Sequence, residues 1–262
     1  MTAAVHEGVR AERRGDAWWV TLDRPDRANA FDEPMRRAII AAFDEGADSG
    51  AAATVLTGAG RSFCAGGLLE DIASAGHAEI RALYFGSLEL FETIRNHPLP
   101  VVAAVNGPAV GGGVELVGAC DLAVAADHAW FSMNSVRVGS APVLGGAGVL
   151  ALAMGEKHAR EAMLLGGRHS AADAMARGWV NRVVPRADLE TEVDTIVAEL
   201  AKASPRSLEI AKMSANVWWN LSRHSMVAGL EALVRSFSSG DLHEGAQALL
   251  ERREPQFRKA AP

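Results

Sequence analysis

Disulfide chemistry has almost no material here: the 262 residues include 2 cysteines, Cys64 and Cys120, and no CxxC pair. A disulfide-stapled scaffold is excluded, and a reducing compartment is the simple inference. Neither thiol has a histidine at metal-ligand spacing, so no metal site is expected. Positive charge is scarce as well. Lys and Arg total 26 against 32 Asp and Glu, a net charge of −6, which is the wrong sign for neutralising a phosphate backbone. The mixed runs "RAERR" and "ERREPQFRKA" read as solvated surface. Long apolar runs are also missing. The most apolar region, 99–126, is interrupted by Asn106, Gly111, Gly112, Gly113, Glu115 and Asp121, whereas a membrane helix needs about 20 predominantly apolar residues. The opening "MTAAVHEGVRAERRGD" has no apolar signal core. A cytoplasmic protein with no membrane or nucleic-acid partner is the expectation.

What is present suits a packed core: 49% of residues are hydrophobic, enough for one large domain or a domain with an appendage. In "AWWVTLDR", Trp18, Val20 and Leu22 alternate as on a strand. "FDEPMRRAIIAAFDEGAD" predicts a helix capped by Asp32, with Pro34 in its first turn and Met35, Ile39, Ala42, Phe43 and Gly46 on one face. The apolar runs "AAATVLTGAG" and "LPVVAAVNG" predict buried strands, with a helix ending near Pro98 between them. Strands that lead repeatedly into helices give an α/β class. From about Ser170 the segments read as helices, and "SPRSLEIAKMSANVWWN" and "SRHSMVAGLEALVRSF" predict two separate ones. Residues 1–195 are expected to form the core and 196–262 a helical region. The Trp218–Trp219 pair in that region fits either oligomerisation or a cap packed on its own core.

The stretch "VNGPAVGGGVELVGACD" sets three consecutive glycines before a lone glutamate in an apolar run. It matches neither GxGxxG nor GxxxxGK[ST], which argues against a phosphate loop. Close helix packing is one explanation. Another is an oxyanion site: glycine lets backbone N–H groups face a ligand oxygen, and a helix N-terminus adds positive potential. Gly112 then supplies an N–H, with Glu115 one turn on. "VLTGAGRSFCAGGLLEDI" is a second strand and glycine turn, offering another donor around Gly67. Two such donors are what a thioester enolate requires.

The segments "LDRPDRANAFDEPM", "VLTGAGRSFCAGG", "VNGPAVGGGVELVGACDLAVAAD", "GEKHAREAMLLGGRHSAADAMARGWVNRVVP" and "EGAQALLERREPQF" run in order along nearly the whole chain. Together they resemble the enoyl-CoA hydratase/isomerase (crotonase) superfamily. The resemblance implies a spiral of ββα units and a C-terminal helical region that assembles a homotrimer or a dimer of trimers. It implies a coenzyme A thioester as substrate, with no metal or redox cofactor. It also implies an oxyanion hole of the Gly67 and Gly112 N–H groups, Glu115 as the catalytic carboxylate, and a coenzyme A cradle around Arg27, Ala28, Ala65 and Leu68. Leu69, Tyr84, Asn134 and Gly139 are further candidates for substrate contact.

The chain departs from that pattern in one place that matters. Hydratases of the family carry a second glutamate in a "PE" pair, and the aligned stretch "FSMNSVRVGS" puts Asn134 and Ser135 there. A serine hydroxyl can hold water or a substrate oxygen but is too weakly acidic to protonate an enolate unaided. Leu68 stands where the family often has an aspartate, which bears on turn geometry and on an acyl pocket wall. "VRVGS" resembles the naphthoate synthase branch, but Ala141 and Pro142 follow where that branch carries an aspartate.

Other polar residues have plainer readings. Tyr84, the sole tyrosine, reads as helix packing with a solvated hydroxyl. His77 reads as loop surface, His158 as an exposed helix position, His224 as a helix start, and Cys64 as a small buried residue. The expected activity is an enoyl-CoA hydratase-type lyase, slowed by Ser135. The alternatives are a single-base isomerase, an acyl-CoA hydrolase or decarboxylase, and a quiet acyl-CoA-binding protein.

Overall fold

A computed structural model describes residues 4–144 and 148–257. Strands β1 (Ala4–His6), β2 (Val9–Arg14) and β3 (Ala17–Leu22) form an antiparallel ribbon. Trp18, Val20 and Leu22 enter the main core, as their alternation predicts. Ala17 and Trp19, on the other face of β3, are buried too, which alternation does not anticipate. The reason is a second layer of helix on that side.

Helix α1 (Glu33–Ala47) begins where the Asp32 carboxylate accepts from the Met35 N–H at 3.0 Å, satisfying one of the helix's free donors. Its stripe of Met35, Ile39, Ala42 and Phe43 is fully buried. A Cβ on Gly46 would sit 2.6 Å from Trp18 Cδ1, so the glycine lets the helix lie flush on β3. Strand β4 (Ala53–Gly58) follows, then α2 (Leu69–Ser74), α3 (His77–Asn96) and β5 (Val101–Val105). Next come β6 (Ala109–Val110), α4 (Gly112–Ala119), β7 (Leu122–Ala126) and β8 (Trp130–Ser132), with a 3-10 turn over Asn134–Val138. After α5 (Gly148–Met154) and α6 (Glu156–Leu165), β9 (Arg168–Ser170), α7 (Ala171–Ala176) and β10 (Arg182–Val184) complete the strands. Four helices follow: α8 (Leu189–Leu200), α9 (Pro205–Ala215), α10 (Val217–Arg235) and α11 (Asp241–Leu250).

The described strands form two sheets. The larger has the order β1-β2-β3-β4-β5-β7-β10 and is parallel from β3 onward. The smaller has the order β6-β8-β9. Strands β4 and β5 are apolar on both faces because both faces are covered. On one side lie α1, α3 and α4; on the other, Leu189, Val193 and Val197 of α8 pack with Trp19, Val55, Val102 and Val124.

Helix α9 docks through a buried cation. Lys212 Nζ lies 2.7 Å from Asp121 Oδ2 and donates to the Leu99 oxygen at 3.1 Å. The break between α9 and α10 falls at Asn216, which donates to the Arg95 oxygen at 2.7 Å. It therefore precedes the tryptophan pair rather than following it, and His224 lies in mid-helix, not at a helix start. His77 is likewise the first residue of α3, not a loop residue, although it is exposed. The tryptophan pair divides: Trp219 is buried in the core, while Trp218 is exposed, as are Met213 and Leu221. His158 is exposed on α6, as expected. No described helix is long and apolar enough to cross a membrane.

Candidate active site

Two glycine-bearing segments at the ends of β4 and β5 meet backbone to backbone. The first, which follows β4, is pinned by two asparagines. The Asn29 side chain donates to the oxygens of Ala59 and Ser62, at 3.0 and 2.8 Å, and accepts from the Arg24 N–H at 3.0 Å. Asn106 Oδ1 accepts from the Gly58 N–H at 3.2 Å, and its Nδ2 donates to the Gly60 oxygen at 3.1 Å. Both asparagines are almost fully buried. They take up carbonyls that the irregular loop leaves unpaired, the usual requirement for buried backbone.

The second segment crosses the first where side chains cannot fit. A Cβ on Gly113 would lie 2.1 Å from the Cys64 oxygen, and one on Gly66, at φ +89°, would lie 2.9 Å from the Gly112 nitrogen. The crossing leaves two donors unspent. Gly66 O and Leu68 N both bond to Phe31 in an isolated bridge, at 2.8 and 3.0 Å, so the N–H of the intervening Gly67 points away from Phe31. Gly112 opens α4, where a helix leaves its first N–H groups free. Among the described residues neither N–H has a hydrogen-bond acceptor.

Both glycines line a cavity of about 230 Å³, together with Glu115 in the first turn of α4. The Glu115 side chain is buried, at 7% exposure, and its Oε1 accepts the Leu144 N–H at 3.1 Å. The cavity walls are largely apolar, with Phe31, Ile72, Leu83, Phe91 and Val143 among them. Ala65, Leu69, Tyr84, Asn134 and Ser135 also line it. A Cβ on Gly111 would stand 3.7 Å from Asn134 Oδ1 and 3.9 Å from Ser135 Oγ, which sets this pair beside the N-terminus of α4.

Tyr84 is half-buried, and its hydroxyl has a partner that its helix position did not suggest. The hydroxyl lies 2.8 Å from Ser140 Oγ inside the cavity, and burial pushes its pKa up to about 12. Ser140 itself donates its N–H to the Ser135 oxygen at 2.9 Å. Ser140 and the Leu144 N–H are the site groups that sequence patterning missed. The serine was visible in "VRVGS", but a backbone donor carries no residue signature.

Four of the expected substrate contacts stand outside the cavity. Arg27 is exposed, 3.5 Å from Glu70, and Ala28 contributes its carbonyl to the Ala65 N–H at 3.0 Å. Leu68 precedes α2 with its side chain turned into the protein, leaving Leu69 to face the cavity. Gly139, at φ +69°, would place a Cβ 2.0 Å from the Asp241 oxygen; its role is to let the 3-10 turn pack on α11. Burial pushes the Cys64 thiol up to about 12, and its sulfur donates to the Asn29 oxygen at 3.2 Å, so it is a packing residue as expected. Among the described residues no cluster of three His, Cys, Asp or Glu could hold a metal.

The chain matches the family model for enoyl-CoA hydratase/isomerase over residues 13–260. A Thermus thermophilus protein named "Putative enoyl-CoA hydratase" is 36% identical over 251 residues, 93% of this chain and 98% of that one. The crystal structure of an enoyl-CoA hydratase from Mycobacterium avium subsp. paratuberculosis superposes with a TM-score of 0.83 at 30% identity, covering 97% of this chain and 100% of the other. An enoyl-CoA hydratase from Bacillus anthracis superposes at 0.79 with 27% identity, covering 95% and 98%. The chain therefore belongs to the enoyl-CoA hydratase/isomerase family.

Proposed function

We propose that the chain is an enoyl-CoA hydratase-type lyase in which Glu115 is the acid–base group. The observation that carries this reading is the convergence of two unspent N–H donors, from Gly67 and Gly112, with one buried carboxylate in an apolar cavity. A thioester carbonyl oxygen seated on both donors would gain charge as an enolate forms, and fixed donors in a dry site favour that charge strongly. Glu115 takes a proton from water as the water oxygen bonds to Cβ, and the π electrons move onto the thioester oxygen. The enolate then collapses and Cα receives the proton from Glu115, so one water is added in total. The Leu144 N–H holds the carboxylate in place through both transfers. The substrate is a coenzyme A thioester, and the chemistry needs no metal or redox cofactor.

Ser135 orients the water but cannot share the proton work. Losing one of two positioned acid–base groups lowers the rate by about 10²-fold or more, so hydration is slow. A second reading rests on the same fact: among the described residues Glu115 is the one carboxylate lining the cavity, which suits an isomerase that lifts a proton from one carbon and returns it to another. Copies assemble as a homotrimer or a dimer of trimers through the helices of 196–262, where Met213, Trp218 and Leu221 present apolar surface. The compartment is the reducing cytoplasm, where Cys64 and Cys120 stay free thiols.

The test follows crotonyl-CoA by NMR in D₂O with wild type and Ser135→Glu. Slow hydration by wild type and faster hydration by Ser135→Glu are expected. Deuterium exchange without hydration would replace the lyase reading with the isomerase. Bound ester with neither reaction would leave a binding protein.

A further inference from the structure

Four polar side chains on one wall of the cavity have hydrogen-bonding capacity that the protein does not use. Asn134, Ser135 and Ser140 belong to one turn, closed by the Ser140 N–H to Ser135 oxygen bond of 2.9 Å. Tyr84 reaches that turn from α3 through its 2.8 Å contact with Ser140 Oγ. Within the hydroxyl pair one O–H is spent on the other oxygen, so the second O–H is left over. The Ser135 hydroxyl and the Asn134 amide have no side-chain hydrogen bond among the described residues. All four line the cavity that holds Glu115. The rest of that wall, with Leu83, Val138 and Val143, is apolar.

Such an arc is a liability for a plain alkyl chain. Seating one would strip water from these groups and leave them unpaired, and unpaired buried polar groups are costly. An oxygen on the acyl group would occupy them instead. Its charge is constrained too. The described lining includes no Lys, Arg or His, and its one carboxylate is Glu115. A second carboxylate brought in on the acyl group would be buried without a counter-ion, beside a like charge.

We propose that the acyl group this site accepts carries a neutral oxygen of its own, a hydroxyl or a ketone, read by Ser140, Tyr84 and Asn134, with Ser135 left to the water. The inference rests on the acyl-CoA reading above and narrows its substrate class. A hydrocarbon acyl chain and an acyl chain ending in a carboxylate are both poorer ligands.

Equilibrium titration with four esters tests it: pentanoyl-CoA, 4-hydroxypentanoyl-CoA, 4-oxopentanoyl-CoA and glutaryl-CoA. None has a Cα–Cβ double bond or a β-hydroxyl, so hydration and its reverse are silent. Wild type should bind the hydroxy and oxo esters about tenfold or more tighter than pentanoyl-CoA, the equivalent of one satisfied hydrogen bond. Ser140→Ala and Tyr84→Phe should each shrink that ratio towards unity. Using two variants from different elements guards against a local packing fault in either. Equal binding of the three uncharged esters by wild type overturns the inference alone, as does a preference that survives in both variants. Tightest binding of glutaryl-CoA overturns the neutral-oxygen claim. If no ester binds, the acyl-CoA reading of the cavity itself fails, and the inference with it.

Discussion

The backbone N–H of Leu144 donates to Glu115 Oε1 at 3.1 Å, tying the carboxylate of α4 to the segment that follows the 3-10 turn. A buried carboxylate that accepts an N–H is held in one orientation and kept as an acceptor. Glutamine can accept the same bond through its amide oxygen, but it cannot take up a proton. Glu115→Gln is therefore expected to cut turnover of crotonyl-CoA by about 10²–10⁴-fold and to leave ester affinity nearly unchanged. Rates and titrations on the same preparation check this. A variant that keeps its rate would remove Glu115 from the proposed chemistry.

Two glycines on the same helix should respond in opposite ways. A Cβ at Gly113 meets the Cys64 oxygen at 2.1 Å, whereas one at Gly118 meets nothing within 4 Å. Gly113→Ala forces the two loops apart and should destabilise the fold by about 1–3 kcal/mol or more. Gly118→Ala relieves the entropy cost of a helical glycine and should stabilise by about 0.5–1 kcal/mol. Calorimetric melting of both variants against wild type decides it; matching shifts would contradict the crossing geometry.

Much of this arrangement was legible in the sequence because its causes are local. Asp32 caps α1 and the stripe from Met35 to Phe43 is buried, since capping and periodicity act over one or two turns. Gly112 and Glu115 also lie a turn apart, so their shared place in the cavity could be read from spacing. What escaped notice depends on distant parts of the chain. The second face of β3 is buried only because α8, some 170 residues later, covers it. Asn29 and Asn106 look like ordinary polar residues until the loop they pin is present. Ser140 acquires its meaning from Tyr84, 56 positions away.

Both thiols should be silent in the native protein. Burial pushes Cys64 and Cys120 each up to about 12, and both are buried. The thiolate is the reactive form, so neither access nor ionisation favours attack. A chromogenic disulfide reagent at pH 8 should report no rapid thiol in native protein and 2 after denaturation, the number of cysteines in the chain. A fast native reaction at either position would show that its enclosing loop opens.

His97 makes the fold acid-sensitive. Its ring lies 2.8 Å from Thr54 Oγ1 and edge-on to Phe43 at 5.3 Å. Burial, with the Lys212 charge adding to it, lowers its pKa from 6.5 to about 3. Between those values the unfolded chain binds a proton that the native chain refuses, so stability rises with pH across that window. The contribution is complete above the unfolded value and is lost as pH falls, at up to about 1.4 kcal/mol per unit. Thermal melting should thus drop steadily from pH 7 towards pH 4. His97→Gln can still bond Thr54 yet cannot acquire charge, so its melting temperature should fall less over the same range. Carboxylates also titrate towards the acid end, but they do so in both proteins, and the difference between the two curves isolates His97. Parallel curves would mean that the ring is already accommodated as a cation in the native core.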